Sequence, residues 1–297
     1  MGRELADALP AAREVFQEVD DALLQNLTRL MFDGPLEELT LTENAQPALM
    51  AVSLAVVRAI ETLGGKSLAE LGSYVAGHSL GEYSALCAAG SLGITETARL
   101  LKRRGQAMQE AVAVGEGAMV ALMGIDIEAA RAIAEEAAQG EVCVPANDNA
   151  PGQVVLSGHK AAVERAAEAL ARKGGARATM LPVSAPFHCP LMAPAAEAMA
   201  EALEGIAIRP PAPILIANVT ARPVAEPARI RKLLIEQVTG LVRWRESMLF
   251  LKEDQVEGVF ELGAGRVLAG LAKRIDRALE ASSIGTPAQI EAFLKTT

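Results

Sequence analysis

The chain has 297 residues, a formal net charge of −9 and a pI near 5.1, which argues against a nucleic-acid surface, since that needs a dense basic face. Hydrophobic residues make up 51% and aromatics only 3%, which suits helices packed closely on a buried sheet, in one large domain with a smaller insert. The cysteines, Cys87, Cys143 and Cys189, are odd in number, widely spaced and without a CxxC, which argues against a disulfide framework or a zinc site and fits a reducing cytoplasm.

The opening "MGRELADALP" is charged and shows no signal-peptide core. Residues 11–31 read as one amphipathic helix. A long apolar helix follows, with Thr42 or Asn44 as N-cap and Gly64–Gly65 as its stop. Its apolar run, 47–60, contains Arg58 and reads as a buried helix too short to span a bilayer, so no membrane is expected. "SYVAG" is a short strand, "LGEYSALCAAG" a helix directly after Ser79, and 95–112 a second long helix.

The pattern then changes. Residues 118–123, 142–147, 153–158 and 176–181 read as strands, and 127–139 and 160–173 as helices. The order βαββαβ is the split-βαβ pattern of a small ferredoxin-like domain. It divides the chain into a discontinuous α/β domain, 1–113 and 184–297, and an insert, 114–183. Beyond it come a loop with His188, helices at 194–203, 227–237 and near Trp244, strands at 214–218 and 256–262, and a last helix at 267–279. Strands alternating with helices imply a mostly parallel sheet covered on both faces.

"GHSLG", residues 77–81, fits G-x-S-x-G. A nucleophile on a sharp strand-to-helix turn needs neighbours without bulk, and it leaves the next N–H, that of Leu80, free to donate to an oxyanion. A serine hydroxyl needs a base. Of the three histidines, His78 adjoins the serine, His159 sits in a turn before a helix of the insert, and His188 lies in a loop where the chain re-enters the larger domain. His188 is the best candidate. Cys189 adjoins that base, and nothing activates it more than Ser79. No carboxylate announces itself as the third member, since Asp126 and Asp148 fall in the insert; a backbone carbonyl could fill the role. "GEGAMVALMG" opens a strand and lacks the spacing of a dinucleotide loop.

"GHSLGEYSAL", "RRGQAMQ", "NAPGQVVLSGHKAAVERA", "PVSAPFHCPLM", "EQVTGLVRW" and "ELGAGRVLAGLAKRI", in that order over almost the whole chain, resemble the malonyl-CoA:acyl carrier protein transacylases of bacterial fatty acid synthesis. The resemblance implies a hydrolase-like α/β core with a ferredoxin-like insert. It implies a malonyl ester on Ser79, His188 as base and then acid, the Gln237 carbonyl holding that histidine, and Leu80 N–H as one oxyanion donor. Arg104, 25 residues after Ser79, would pair with the malonyl carboxylate, a task suited to the planar guanidinium fork. Met108, Asn149 and Asn218 match positions near the acyl and pantetheine pocket, and Phe187 matches malonyl-selective members. No metal or bound cofactor is implied; the substrates are malonyl-CoA and the phosphopantetheine of acyl carrier protein, met by a cytoplasmic monomer. Lys102, Arg103, Arg266, Lys273 and Arg274 could form a basic rim for an acidic carrier. The alternatives are a serine thioesterase sharing the elbow, which would not need Arg104, and a catalytically impaired carrier-binding homologue.

The family opens with a strand and a "GQGSQ" loop that supplies the second oxyanion N–H, whereas this sequence starts at Met1–Gly2–Arg3, inside a later stretch. The reading expects either a start assigned too late, which it favours, or a short form of low activity. One missing oxyanion donor costs about 2.7–4 kcal/mol, or roughly 10²–10³ in rate. Adding an upstream strand that ends in a GQGSQ-like loop should therefore raise the transfer rate by about that factor. Equal rates for the extended and the 297-residue chains would contradict it.

Overall fold

The helix Thr42–Gly64 is the spine of the larger body. Ala48, Ala51, Ala55 and Ala59 are small enough to let neighbouring helices approach, and Met50, Leu54, Val56 and Ile60 fill the space between them. Helices Pro10–Leu23, Leu80–Ala88 and Ile94–Glu110 pack against it. Gly105 allows the last of these to come in close, because a Cβ there would stand 2.5 Å from the Glu43 Cα. The spine ends at Gly65, whose N–H reaches the Glu61 carbonyl and whose left-handed φ of 65° turns the following chain away.

The computed structural model describes residues 1–173 and 175–296 of a mixed α/β fold. Its strands are β1 (Tyr74–Ala76), β2 (Gly117–Met123), β3 (Cys143–Ala150), β4 (Gln153–His159), β5 (Arg177–Met180), β6 (Ile214–Ala217), β7 (Arg222–Val224), β8 (Gly258–Leu262) and β9 (Glu280–Ile284). Strands β2–β5 form an antiparallel sheet in the order β3-β4-β2-β5. Helices Ile127–Ala138 and Lys160–Lys173 close its own core around Val120, Leu122, Ile133, Leu156 and Leu170. β6 pairs with β1 in parallel and with β7 antiparallel, while β8 and β9 pair in parallel as a separate sheet.

Several expectations change. The mostly parallel sheet of the larger body is split: among the described residues the second edges of β1 and β8 carry no strand. The helix expected over 11–31 is two helices, Pro10–Leu23 and Leu27–Asp33. Leu24 turns left-handed (φ 49°) and the Asn26 side chain caps the second helix at Arg29 N. Neither Thr42 nor Asn44 is an N-cap. That position is Leu41, and Asn44 instead donates to the Glu38 carbonyl and accepts from Gln25 and Lys102. The helix Thr42–Gly64 is in fact long and apolar enough to cross a membrane, but it is mostly buried in the protein and serves as its core. The last helix expected, 267–279, stops at Ile275, and the structure adds β7, β9 and a final helix, Pro287–Leu294.

The arrangement places the site. β1 leads straight into Ser79, and β6, in register with it (Ala76 opposite Ile216), delivers Asn218 beside the same turn. Helix Pro227–Thr239, capped by Glu226 at Ala228 N and Arg229 N, brings Gln237 in from the opposite side.

Candidate active site

Ser79 occupies φ 54°, ψ −113°, a strained position for a residue with a side chain. The turn is tight at one glycine only. A Cβ on Gly77 would lie 1.9 Å from the Gly81 carbonyl oxygen, whereas one on Gly81 meets nothing within 4 Å. The steric demand expected of both glycines therefore falls on Gly77. Asn218 clamps the turn: its Oδ1 accepts from Ser79 N (2.8 Å) and its Nδ2 donates to the Gly77 carbonyl (2.7 Å). Both ends of that amide are thus engaged with the elbow rather than presented to an acyl group. Leu80 opens the helix Leu80–Ala88, and its N–H meets no acceptor among the described backbone hydrogen bonds of the turn.

The Ser79 hydroxyl lies 2.7 Å from His188 Nε2, and His188 Nδ1–H donates to the Gln237 carbonyl at 2.9 Å. That second bond fixes the tautomer, so Nε2 presents a lone pair to the hydroxyl. His188 is 4% exposed and sits on left-handed backbone (φ 57°). Burial, and then the Arg104 charge, push its pKa down to about 3 against the pull of the Gln237 carbonyl. The imidazole is therefore neutral at physiological pH. His78 plays no part in this pair. It is half-buried, desolvation lowers its pKa, and it donates through Nε2–H to Asn149 Oδ1 (2.9 Å), beside the Trp244 ring. His159 accepts from Val142 N in the small sheet, and Cys189 is buried with its thiol pKa raised by desolvation and its Sγ on the Pro186 carbonyl.

Arg104 is 1% exposed. Its Nη1 donates to Gln46 Oε1 (2.8 Å), and its Nη2 to Gln237 Oε1 (2.9 Å) and Ser79 Oγ (3.1 Å). The Nε has no acceptor, and the ion pairs among the described residues include none to Arg104. A buried guanidinium held directly by neutral oxygens only is chemically able to take an anion. Met108 stands one turn further along the same helix and touches Gln46 Nε2 with its sulfur (3.8 Å), so it bears on Arg104 through Gln46. Phe187 packs between the larger core and the small-sheet residues Met119, Ala146 and Val155.

Three further side chains at the site carry at most a weak signal in the sequence. Gln46 is buried in an apolar helix, where a polar residue is itself the signal. The Gln237 side chain joins Arg104, Ser79 O and Glu82, although only its carbonyl was expected. Glu82, three residues after the serine, is fully enclosed. One expected cation is not available: Lys102 is tied to Glu43, Gln25 and Asn44.

A family model described as "Acyl transferase domain" matches residues 1–269. Among curated proteins the chain is 42% identical to the malonyl CoA-acyl carrier protein transacylase of Bacillus subtilis, covering 100% of this chain and 92% of that protein. It is likewise 42% identical to the one of Escherichia coli K12, at 98% and 93% coverage. Its fold superposes on the acyl-carrier-protein-S-malonyltransferase of Bartonella henselae with a TM-score of 0.97 at 53% identity, over 100% of this chain and 94% of that one. The chain belongs to the malonyl CoA-acyl carrier protein transacylases. A further member of that family, 43% identical with a TM-score of 0.95 over 100% of this chain and 95% of that one, was solved as a malonyl-transacylase in complex with its type II PKS acyl-carrier protein.

The turn geometry makes a direct test of this transacylase elbow. Gly77→Ala should cost about 3 kcal/mol or more, because the clash is with backbone, while Gly81→Ala should change stability by less than about 1 kcal/mol. Urea unfolding of the two variants checks this; equal losses would contradict the reading of the turn.

Proposed function

We propose that Ser79 and His188 carry the family's activity, transfer of a malonyl group from malonyl-CoA to acyl carrier protein, and that Arg104 holds the malonyl carboxylate. The observation that supports this best is the shared hydroxyl: Ser79 Oγ lies within hydrogen-bond reach of both a neutral imidazole and a buried guanidinium. His188 Nε2 takes the Ser79 proton as Oγ attacks the thioester carbon, and the oxyanion accepts from Leu80 N–H. The imidazolium, steadied by the Gln237 carbonyl, returns the proton to the departing coenzyme A sulfur. The phosphopantetheine thiol of the carrier then gives its proton to His188 and attacks the ester, and Ser79 regains its hydrogen.

Arg104 does more than bind. It donates to Ser79 Oγ, and its charge lowers the His188 pKa. A substrate carboxylate draws the guanidinium toward itself and screens its charge, which frees the Ser79 lone pair and raises His188. Acetyl-CoA lacks that carboxylate. Asn218, Gln237, Gln46 and Met108 are positioning residues in this reading, and Asn149 is set by His78 at the junction with the small sheet. The βαββαβ strand order supports taking 114–183 as a ferredoxin-like domain inserted into a hydrolase-like core of 1–113 and 184–297. Acyl transfer through a serine ester uses the thiols of its own two substrates and calls for no redox group. The buried, unpaired cysteines fit a cytoplasmic setting. For an acidic carrier, exposed Arg103, Arg266, Lys273 and Arg274 remain of the five cations considered.

Replacing the guanidinium tests the assignment. Arg104→Ala should lower kcat/KM for malonyl-CoA by about 10²-fold or more, and acetyl-CoA far less, consistent with loss of a buried charge pair. An unchanged preference for malonyl-CoA over acetyl-CoA, measured as coenzyme A release, would overturn it.

A further inference from the structure

Glu82 is 1% exposed in the first turn of the elbow helix. Its Oε2 accepts from Gln237 Nε2 (2.6 Å) and from Asn218 N (3.3 Å), and its Oε1 is buried without a partner. Gln237 turns its other end, Oε1, to Arg104 Nη2. One amide thus stands between a buried acid and a buried cation, polarised by each in the same sense.

We propose that Glu82 is the internal counter-charge of Arg104 and yields that role to the substrate, taking up one solvent proton when a second carboxylate occupies the guanidinium. This rests on Arg104 holding the malonyl carboxylate. With the site empty, one anion and one cation face each other through Gln237. With a malonyl group bound, two carboxylates share one guanidinium in a site that excludes water, and the pair cannot both stay ionised at low cost. Glu82 is the one that gives way. It reaches Arg104 only through the amide, and an orphaned anionic oxygen costs more than an orphaned hydroxyl. The proton comes from solvent, goes to the Glu82 carboxylate, and returns to solvent when the malonyl group leaves.

The groups that bear on Glu82 are Arg104 from helix Ile94–Glu110, Tyr83 from its own helix, and the amides of Gln237 and Asn218 from helix Pro227–Thr239 and the end of β6. His188, from the loop beyond the small sheet, stands on the far side of Ser79 and is neutral. The helix Thr42–Gly64 contributes Gln46, which engages Arg104 rather than Glu82. Burial pushes the Glu82 pKa up to about 7 against the pull of Gln237, Asn218 and Arg104, so both charge states lie within reach near neutrality.

Proton uptake measures the exchange. Ser79→Ala protein, which binds without turnover, is mixed with malonyl-CoA or acetyl-CoA at pH 8 in lightly buffered solution containing a pH indicator. Malonyl-CoA should take up close to one more proton per site than acetyl-CoA, and adding Glu82→Gln should abolish the excess. With Ser79 intact, kcat/KM for malonyl-CoA should fall about tenfold per pH unit above about 7, acetyl-CoA should lack that limb, and Glu82→Gln should flatten it. No excess uptake with Ser79→Ala alone, or an equal excess with Glu82→Gln added, overturns the proposal. The first arm needs no change at Glu82, so it decides even if that variant fails to fold. Arg104→Ala separates the two readings: an undiminished malonyl preference removes the Arg104 assignment, whereas a lost preference with no excess uptake removes the Glu82 role alone.

Discussion

The structure around Ser79 depends on a buried cation, Arg104, that has no direct anionic partner among the described residues. Taking a guanidinium out of water costs several kcal/mol, and only well-placed acceptors offset it. Arg104 finds Gln46 Oε1, Gln237 Oε1 and Ser79 Oγ. Each of these is held from behind. Gln46 touches Met108, Gln237 reaches Glu82 and the Ser79 carbonyl, and Ser79 is fixed by the Asn218 amide. Gly105 permits the close approach of the Arg104 helix to the helix that carries Gln46. Arg104 and the Ser79–His188 pair therefore form one network, with Gln237 as the shared member: its carbonyl accepts from His188 and its side chain from Arg104.

The second constraint is the junction with the small sheet. β3 continues its pairing beyond that sheet, with Asp148 N donating to the Val242 carbonyl (3.0 Å) and Val242 N to the Ala146 carbonyl (2.9 Å). Asp148, buried, accepts from Arg245 through both carboxylate oxygens. His78 reaches Asn149 from the elbow itself. Asp148 was weighed from the sequence as a possible third catalytic member. Its ion pair with Arg245 commits it to this junction, and the group beside His188 Nδ1 is instead the Gln237 carbonyl. Three kinds of contact thus hold the end of β3 against the larger body, and the His78–Asn149 bond ties it to the turn that bears Ser79.

Much of this was legible in the sequence, and the parts that were not share a cause. The elbow could be read because strand, glycine, serine and helix are neighbours in the chain. The βαββαβ order could be read because each of its elements has local periodicity. What pairs with what across the larger body is non-local, so its division into β1-β6-β7 and β8-β9 left no local trace. β9, "EASSI", lacks the β-branched run of a central strand, and Leu24 breaks a helix with no glycine to mark the place. Gln46, Glu82 and the Gln237 side chain look like ordinary helix residues until three separate helices bring them together. Lys102 reads as a surface cation, yet its partners Glu43, Asn44 and Gln25 lie far away in the chain and meet it only once the helices pack.

The central claim is that Ser79 becomes an ester in a site whose cation selects a carboxylate. Intact mass after brief mixing with malonyl-CoA tests it most directly, followed by addition of pantetheinylated acyl carrier protein. The account predicts one malonyl adduct per chain, absent with Ser79→Ala, that passes to the carrier. Free malonate in place of carrier-bound malonyl, or an adduct that survives Ser79→Ala, would contradict it.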